Sequence, residues 1–131
     1  KNKIVDVWGD GSPIRDFIYS KDVAIAMAKL MQIAPIYPVN IGSGKGHKIS
    51  EVVNIINNYF GNTYKIKWDV TKPSGDKVRI LNTGKLKKLG FKQQTSLKDG
   101  IVETINWYIN NRNNKTRFNV FKWEKNIQKK I

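Results

Sequence analysis

The sequence predicts a small mixed α/β domain whose sheet is too scanty to stand alone. Three observations carry this. Short β-prone runs alternate with segments that repeat apolar residues at helical spacing. Those runs are few and brief, whereas a doubly wound domain needs a broad parallel sheet. The chain's 131 residues allow one domain with a real core and are too few for two. Incompleteness of this kind points to an accessory domain that packs on a larger partner.

The opening reads as a β-hairpin. Ile4, Val5, Val7 and Trp8 are strand-prone, Gly9 to Pro13 is a dense turn, and Ile14 to Tyr19 resumes β character. Ser20 is a candidate N-cap, with Asp22 near the positive end of the helix that follows. Val23, Ala26, Met27, Leu30 and Met31 form one helical face, and Pro35 and Pro38 stop it. Val39 to Ile41 is a short strand entering a glycine-rich turn, Gly42 to Gly46. A second helix begins near Ser50, buries Val52, Ile55, Ile56, Tyr59 and Phe60, and ends at Gly61, where a left-handed residue belongs.

Tyr64, Ile66 and Trp68 alternate with Lys65 and Lys67, which predicts a half-buried strand with a basic outer face. Thr71 to Lys77 is a loop, and Val78 to Leu81 is extended. A small helix carries Leu86 and Leu89 and stops at Gly90. The last helix starts at Ser96, with Asp99 three residues on, and lines its inner face with Leu97, Ile101, Ile105 and Tyr108. The domain proper is expected over 1–113, followed by a basic, aromatic tail over 114–131.

Composition narrows the function classes. Apolar residues make up 40% and charged residues 26%, the balance of an ordinary globular chain. No apolar run is long enough to span a membrane, and the first residues do not form a signal peptide. Cysteine is absent and His47 is the single histidine, so disulfides and the usual zinc sites are excluded. A cytoplasmic location fits. The net charge of +14 favours anionic partners, a nucleic acid or a nucleotide diphosphate among them.

Gly42 to Gly46 is not a phosphate-binding P-loop. Position 39 is valine, and Gly46 stands where a magnesium-binding hydroxyl belongs. No G-x-G-x-x-G follows a strand either. His47 has no evident carboxylate or serine partner in the sequence and reads as a surface histidine. Two segments are sharper: Val7 to Tyr19, continuing through Asp22 to Ala24, and Lys72 to Arg79. Each sets an arginine, Arg15 or Arg79, beside a glycine-containing turn, and a guanidinium fork suits a diphosphate. The bland alternatives are that Arg15 pairs with Asp16 or Asp22 and that Trp8 belongs to the core.

A set of motifs runs in order along the chain: Trp8-Gly9-Asp10-Gly11 with Arg15-Asp16-Phe17-Ile18-Tyr19, then Asp22-Val23-Ala24, Asn40-Ile41-Gly42-Ser43-Gly44, Lys72-Pro73 with Gly75-Asp76, Leu89-Gly90-Phe91, and Ser96-Leu97 leading to Trp107-Tyr108. This pattern resembles the extended short-chain dehydrogenases/reductases, the NAD-dependent epimerase/dehydratase family, and within it most resembles the C-terminal part of GDP-L-fucose synthase-like enzymes. The resemblance implies a substrate-binding domain that normally packs on an NAD(P)-binding Rossmann domain, absent from this sequence. It implies NAD or NADP in the parent protein and none held by this chain alone. It gives Arg15 the substrate diphosphate and sets Trp8 beside the nucleotide or sugar. The loop from Lys72 to Arg79 would close over the nucleotide, with Asp76 reaching the ribose.

Fucose synthases read K-P-D-G-T-P-R-K in that loop. Ser74, Asp76 and Val78 depart from it, so a GDP-, UDP-, CDP- or dTDP-sugar all remain open. The catalytic Tyr-x-x-x-Lys has no counterpart: Tyr19 is followed four residues on by Val23, and Tyr59 by Thr63. Hydride transfer is therefore not expected of this chain alone. Relatives pair as homodimers through Rossmann-domain helices that this sequence lacks. The rival readings are a basic nucleic-acid module, which the absence of any such motif opposes, and a non-catalytic interaction fragment.

Overall fold

The structure is a computed structural model that describes residues 3–112. The first strand, β1 (Lys3–Trp8), does not fold back as a hairpin. It pairs in parallel with β4 (Tyr64–Asp69), in a register running from Lys3 opposite Tyr64 to Trp8 opposite Asp69. The turn after it carries the chain out of this two-stranded sheet. Gly9 and Gly11 both take positive φ there, and the Gly9 amide donates to the Asp69 carbonyl at 2.8 Å. The next strand, β2 (Ile14–Asp16), enters a separate three-stranded sheet. It is flanked by β3 (Gly46–Lys48), antiparallel, and β5 (Val78–Arg79), parallel. The hairpin expectation fails because the turn residues bond to Ile49, Ser50 and β4's end rather than closing β1 on β2.

Gly11 sits against an indole. A Cβ there would lie 2.6 Å from Cη2 of Trp68, and the backbone already takes φ +75°. Left-handed strain and overpacking therefore add, and Gly11→Ala is expected to cost about 2–4 kcal/mol. Urea unfolding of the variant checks this.

Helix α1 (Ser20–Ile33) opens with Tyr19 at the N-cap and no side-chain cap, so Ser20 is inside the helix rather than capping it. Asp22 stands in the first turn of α1, as expected, and has a second task. It is buried and accepts from the amides of Thr95 (3.0 Å) and Gln94 (3.4 Å), tying α1 to the distant loop before the last helix. Ala34 ends α1 in the left-handed region, just before Pro35. The expected stripe is half right: Ala26 is fully buried and Leu30 packs on the core, but Met27 and Met31 are exposed. Val39 and Ile41 pack on the same core, yet residues 39–41 pair with no strand and are irregular.

Helix α2 (Ile49–Tyr59) starts one residue before Ser50. Its first amides are satisfied by backbone instead of a cap: Ile49 donates to the Pro13 carbonyl and Ser50 to that of Gly11. Gly61 follows it at φ +69°. Helix α3 (Gly84–Lys88) buries Leu86, and Gly90 beyond it has φ +79°. Helix α4 (Leu97–Asn111) is capped as expected, with the Ser96 hydroxyl accepting from the Asp99 amide at 3.1 Å.

Ala26, Leu86 and Phe91 make up the buried hydrophobic core among the described residues. Against this small core, much apolar surface is uncovered on and just after α1, where Met31 is 81% and Ile36 99% exposed. No helix among the described residues is long and apolar enough to cross a membrane. The expected tail, 114–131, lies outside the described residues.

Candidate functional site

Sheet register gathers the candidate residues. β2 and β5 run in parallel with Arg15 opposite Arg79, so the two guanidinium stems leave the same face, one strand apart. Arg15 pairs with neither Asp16 nor Asp22. Its Nη1 donates to the carbonyls of Asp76 (2.6 Å) and Ile14 (2.8 Å). A side chain at Gly75 would come within 3.2 Å of Nη2, so the glycine, at φ +74°, lets the loop lie close to the guanidinium. Trp8 is 66% exposed and is not core; Lys72 Nζ lies 5.9 Å from its ring centroid. A side chain at Gly9 would come within 3.0 Å of Ser74 of the same loop. Lys72 and Asp76 lie in one loop, residues 71–77, with Trp8 and Arg15 against it and Arg79 in the strand that follows it. Asp76 contributes a carbonyl to Arg15, and its carboxylate makes no ion pair among the described residues.

Two like charges side by side on a sheet destabilise it unless an anion or a partner offsets them. The Arg15 fork keeps donors beyond those spent on the two carbonyls. The corner is thus suited to an anion with several oxygens.

Asp16, on the other face of β2, holds the frame. Its carboxylate accepts from the Ser43 amide (2.9 Å) and hydroxyl (2.5 Å), the Gly44 amide (2.9 Å) and the Leu81 amide (3.3 Å). Partial burial pushes this carboxyl up, but the Ser43, Gly44 and Leu81 donors outweigh it and hold it below the ordinary value. A depressed folded pKa adds stability above the unfolded carboxylate value of about 3.9, and that stability is lost as pH falls below it. Asp16→Asn is expected to lose about 1–3 kcal/mol at neutral pH and to flatten the acid limb of a stability–pH curve. Urea midpoints measured from neutral to acid pH check both.

The same bonds settle the glycine-rich turn. The Ser43 and Gly44 amides are spent on Asp16, so this turn does not offer them to a pyrophosphate. The turn also leads into a strand, β3, rather than straight into a helix. This turn therefore does not fit the pyrophosphate of a dinucleotide. A cavity of about 710 Å³ opens beside this turn, lined by Ser43, His47, Thr83, Leu86 and Phe91 among others. It includes none of the five candidate residues.

His47, expected to lack a carboxylate partner, has one. Its Nδ1 lies 3.0 Å from Oε2 of Glu51, and β3 sets it directly opposite Arg15. The signal was present as an acid four residues along, where a helix begins.

The chain is similar to known proteins. A match to the family described as GDP-mannose 4,6 dehydratase runs over residues 1–104. A putative GDP-L-fucose synthase 2 of Arabidopsis thaliana is 40% identical over 108 residues, 82% of this chain and 33% of that protein. The crystal structure of a GDP-6-OMe-4-keto-L-xylo-heptose reductase from C. jejuni superposes with a TM-score of 0.74 at 30% identity, over 82% of this chain and 34% of that one. A GDP-L-fucose synthetase from Naegleria fowleri gives a TM-score of 0.78 at 26% identity, over 85% and 35% of the two chains, and has also been solved bound to NADP. The chain spans about a third of the length of the curated relatives it matches.

Proposed function

Because the chain belongs to the GDP-mannose 4,6 dehydratase family, within the extended short-chain dehydrogenases/reductases and close to the GDP-L-fucose synthases, we propose that it is the substrate-gripping part of an NAD(P)-dependent enzyme that modifies a nucleotide-activated sugar. The observation that carries this is the pairing of Arg15 with Arg79 across β2 and β5, with the Arg15 fork braced on the loop that Gly75 brings close. In this reading Arg15 and Arg79 hold the two phosphates. Trp8 and Lys72 border the nucleotide, and Asp76 reaches the ribose.

The chemistry of this chain is then binding and orientation. Fixing the diphosphate at one end of the substrate presents the sugar to a catalytic half in a set pose, and such positioning supplies several kcal/mol of a barrier. Acid, base and hydride donor come from the half that this sequence does not contain, and so does the NAD or NADP site. The uncovered apolar surface around α1 supports that arrangement, because a large exposed patch marks a contact surface.

Calorimetric titration tests the reading. GDP-mannose is expected to bind the chain saturably at one site, and GMP much more weakly, because one phosphate cannot span both arginines. Equal binding of the two, or no binding of either, contradicts it. Mixing the chain with a separately produced Rossmann half of a relative is then expected to restore turnover that neither piece has alone.

A further inference from the structure

We infer that His47, held by Glu51, is a third anion-contacting residue beside Arg15 and Arg79 and makes diphosphate binding proton-linked. This rests on the diphosphate reading of the two arginines.

The argument starts from the three-stranded sheet. Side chains alternate between its faces, so Ile14, Asp16, Gly46, Lys48 and Val78 share one face. The space over Gly46 on that face is filled by Ile14 and Ile80. The opposite face carries His47, Arg15 and Arg79 in one row, one residue from each strand. With strands about 5 Å apart, His47 stands one strand from Arg15, within reach of the phosphate that Arg15 holds.

Glu51 fixes how the imidazole is used. Both carboxylate oxygens lie 3.0 and 3.1 Å from Nδ1, and Nε2 has no partner among the described residues. A neutral ring with its proton on Nδ1 presents an acceptor at Nε2, which repels a phosphate oxygen. A cationic ring presents a donor. The surrounding charges are Arg15 on β2, with Asp16 on that strand's far face, Arg79 beyond it on β5, Lys45 and Lys48 beside His47 in the chain, Glu51 on α2, and Lys87 and Lys92 on the cavity that His47 also lines. A bound diphosphate thus adds negative charge where these residues are mostly positive, and a proton on His47 favours it.

The test is calorimetric titration of the 131-residue chain with GDP-mannose at about 0.15 M salt, which screens the general positive field. Both of its phosphates are esterified at two oxygens, so the ligand lacks the second ionisation, near pH 6, of a phosphate monoester. Across about pH 5 to 8, where histidine is the ordinary side chain that changes charge, wild-type affinity is expected to rise about three- to fivefold toward acid, the gain of one exposed charged contact. His47→Phe is expected to lose that rise, and His47→Gln, which keeps a polar side chain should phenylalanine disturb the fold, is expected to lose it too. Glu51→Gln is expected to shift the rise. A wild-type profile without the rise, or an intact rise in both His47 variants, overturns the inference. If Arg15→Ala weakens binding while the His47 variants keep the wild-type profile, this inference alone fails. If the wild type binds no GDP-mannose at any pH, the diphosphate reading fails and this inference with it.

Discussion

Arg15→Ala is expected to weaken GDP-mannose binding about tenfold to a hundredfold, the effect of removing a charged, forked hydrogen-bonding group worth roughly 1.5–3 kcal/mol. Arg15 stands at the centre of its sheet, with a strand on each side and its guanidinium braced on the Asp76 and Ile14 carbonyls. That bracing restricts the side chain before any ligand arrives, so less entropy is lost on binding. Arg15→Lys is expected to fall between, because an ammonium keeps the charge but not the fork. The fold is expected to tolerate both changes, since the lost bonds reach loop carbonyls that water can serve. Titration of both variants, with circular dichroism as the folding control, checks this. Wild-type affinity in Arg15→Ala would remove the residue from the site.

The largest stability effect is expected at Leu86. It is 2% exposed and sits with Ala26 and Phe91 in the buried core, packed by Ile18, Leu30, Val39 and Ile41. Truncation to alanine removes the transfer energy and leaves a cavity, typically about 2–5 kcal/mol. Domains of this size have roughly 5–15 kcal/mol in total, and a core this small implies the low end. Leu86→Ala is therefore expected to lower the urea midpoint severely or to unfold the chain at room temperature. Leu86→Met keeps the volume and is expected to cost less than about 1.5 kcal/mol. Equal, small shifts in both variants would mean that stability resides elsewhere, for instance in the β1–β4 pair.

Local chemistry was legible and long-range pairing was not. Gly61, Gly90 and the Ser96 cap act within a few residues of themselves, and each does what its residue type requires. The basic strand 64–69 is visible because its alternation has period two. The hairpin expectation failed because nearness in sequence says nothing of β4, which β1 reaches only after two helices. Ser50 looked like a cap because nothing local shows that Gly11 and Pro13 supply carbonyls to α2. Asp22's place in the first turn of α1 was readable, but its hydrogen-bond partners, Gln94 and Thr95, lie more than seventy residues on. At the candidate site, the residue types and the loop were readable. The opposition of Arg15 to both Arg79 and His47 needed the sheet.

The most direct test of the diphosphate site is a nuclear magnetic resonance titration of the labelled chain with GDP-mannose. The expected result is saturable change confined to the Trp8 indole, the Arg15, Arg79 and His47 side chains and the backbone amides of residue 72 and residues 74–79, with the Gly42 to Gly44 amides unmoved. Changes centred on Gly42 to Gly44, or no change with GDP-mannose alongside strong change with a long RNA, would contradict the account.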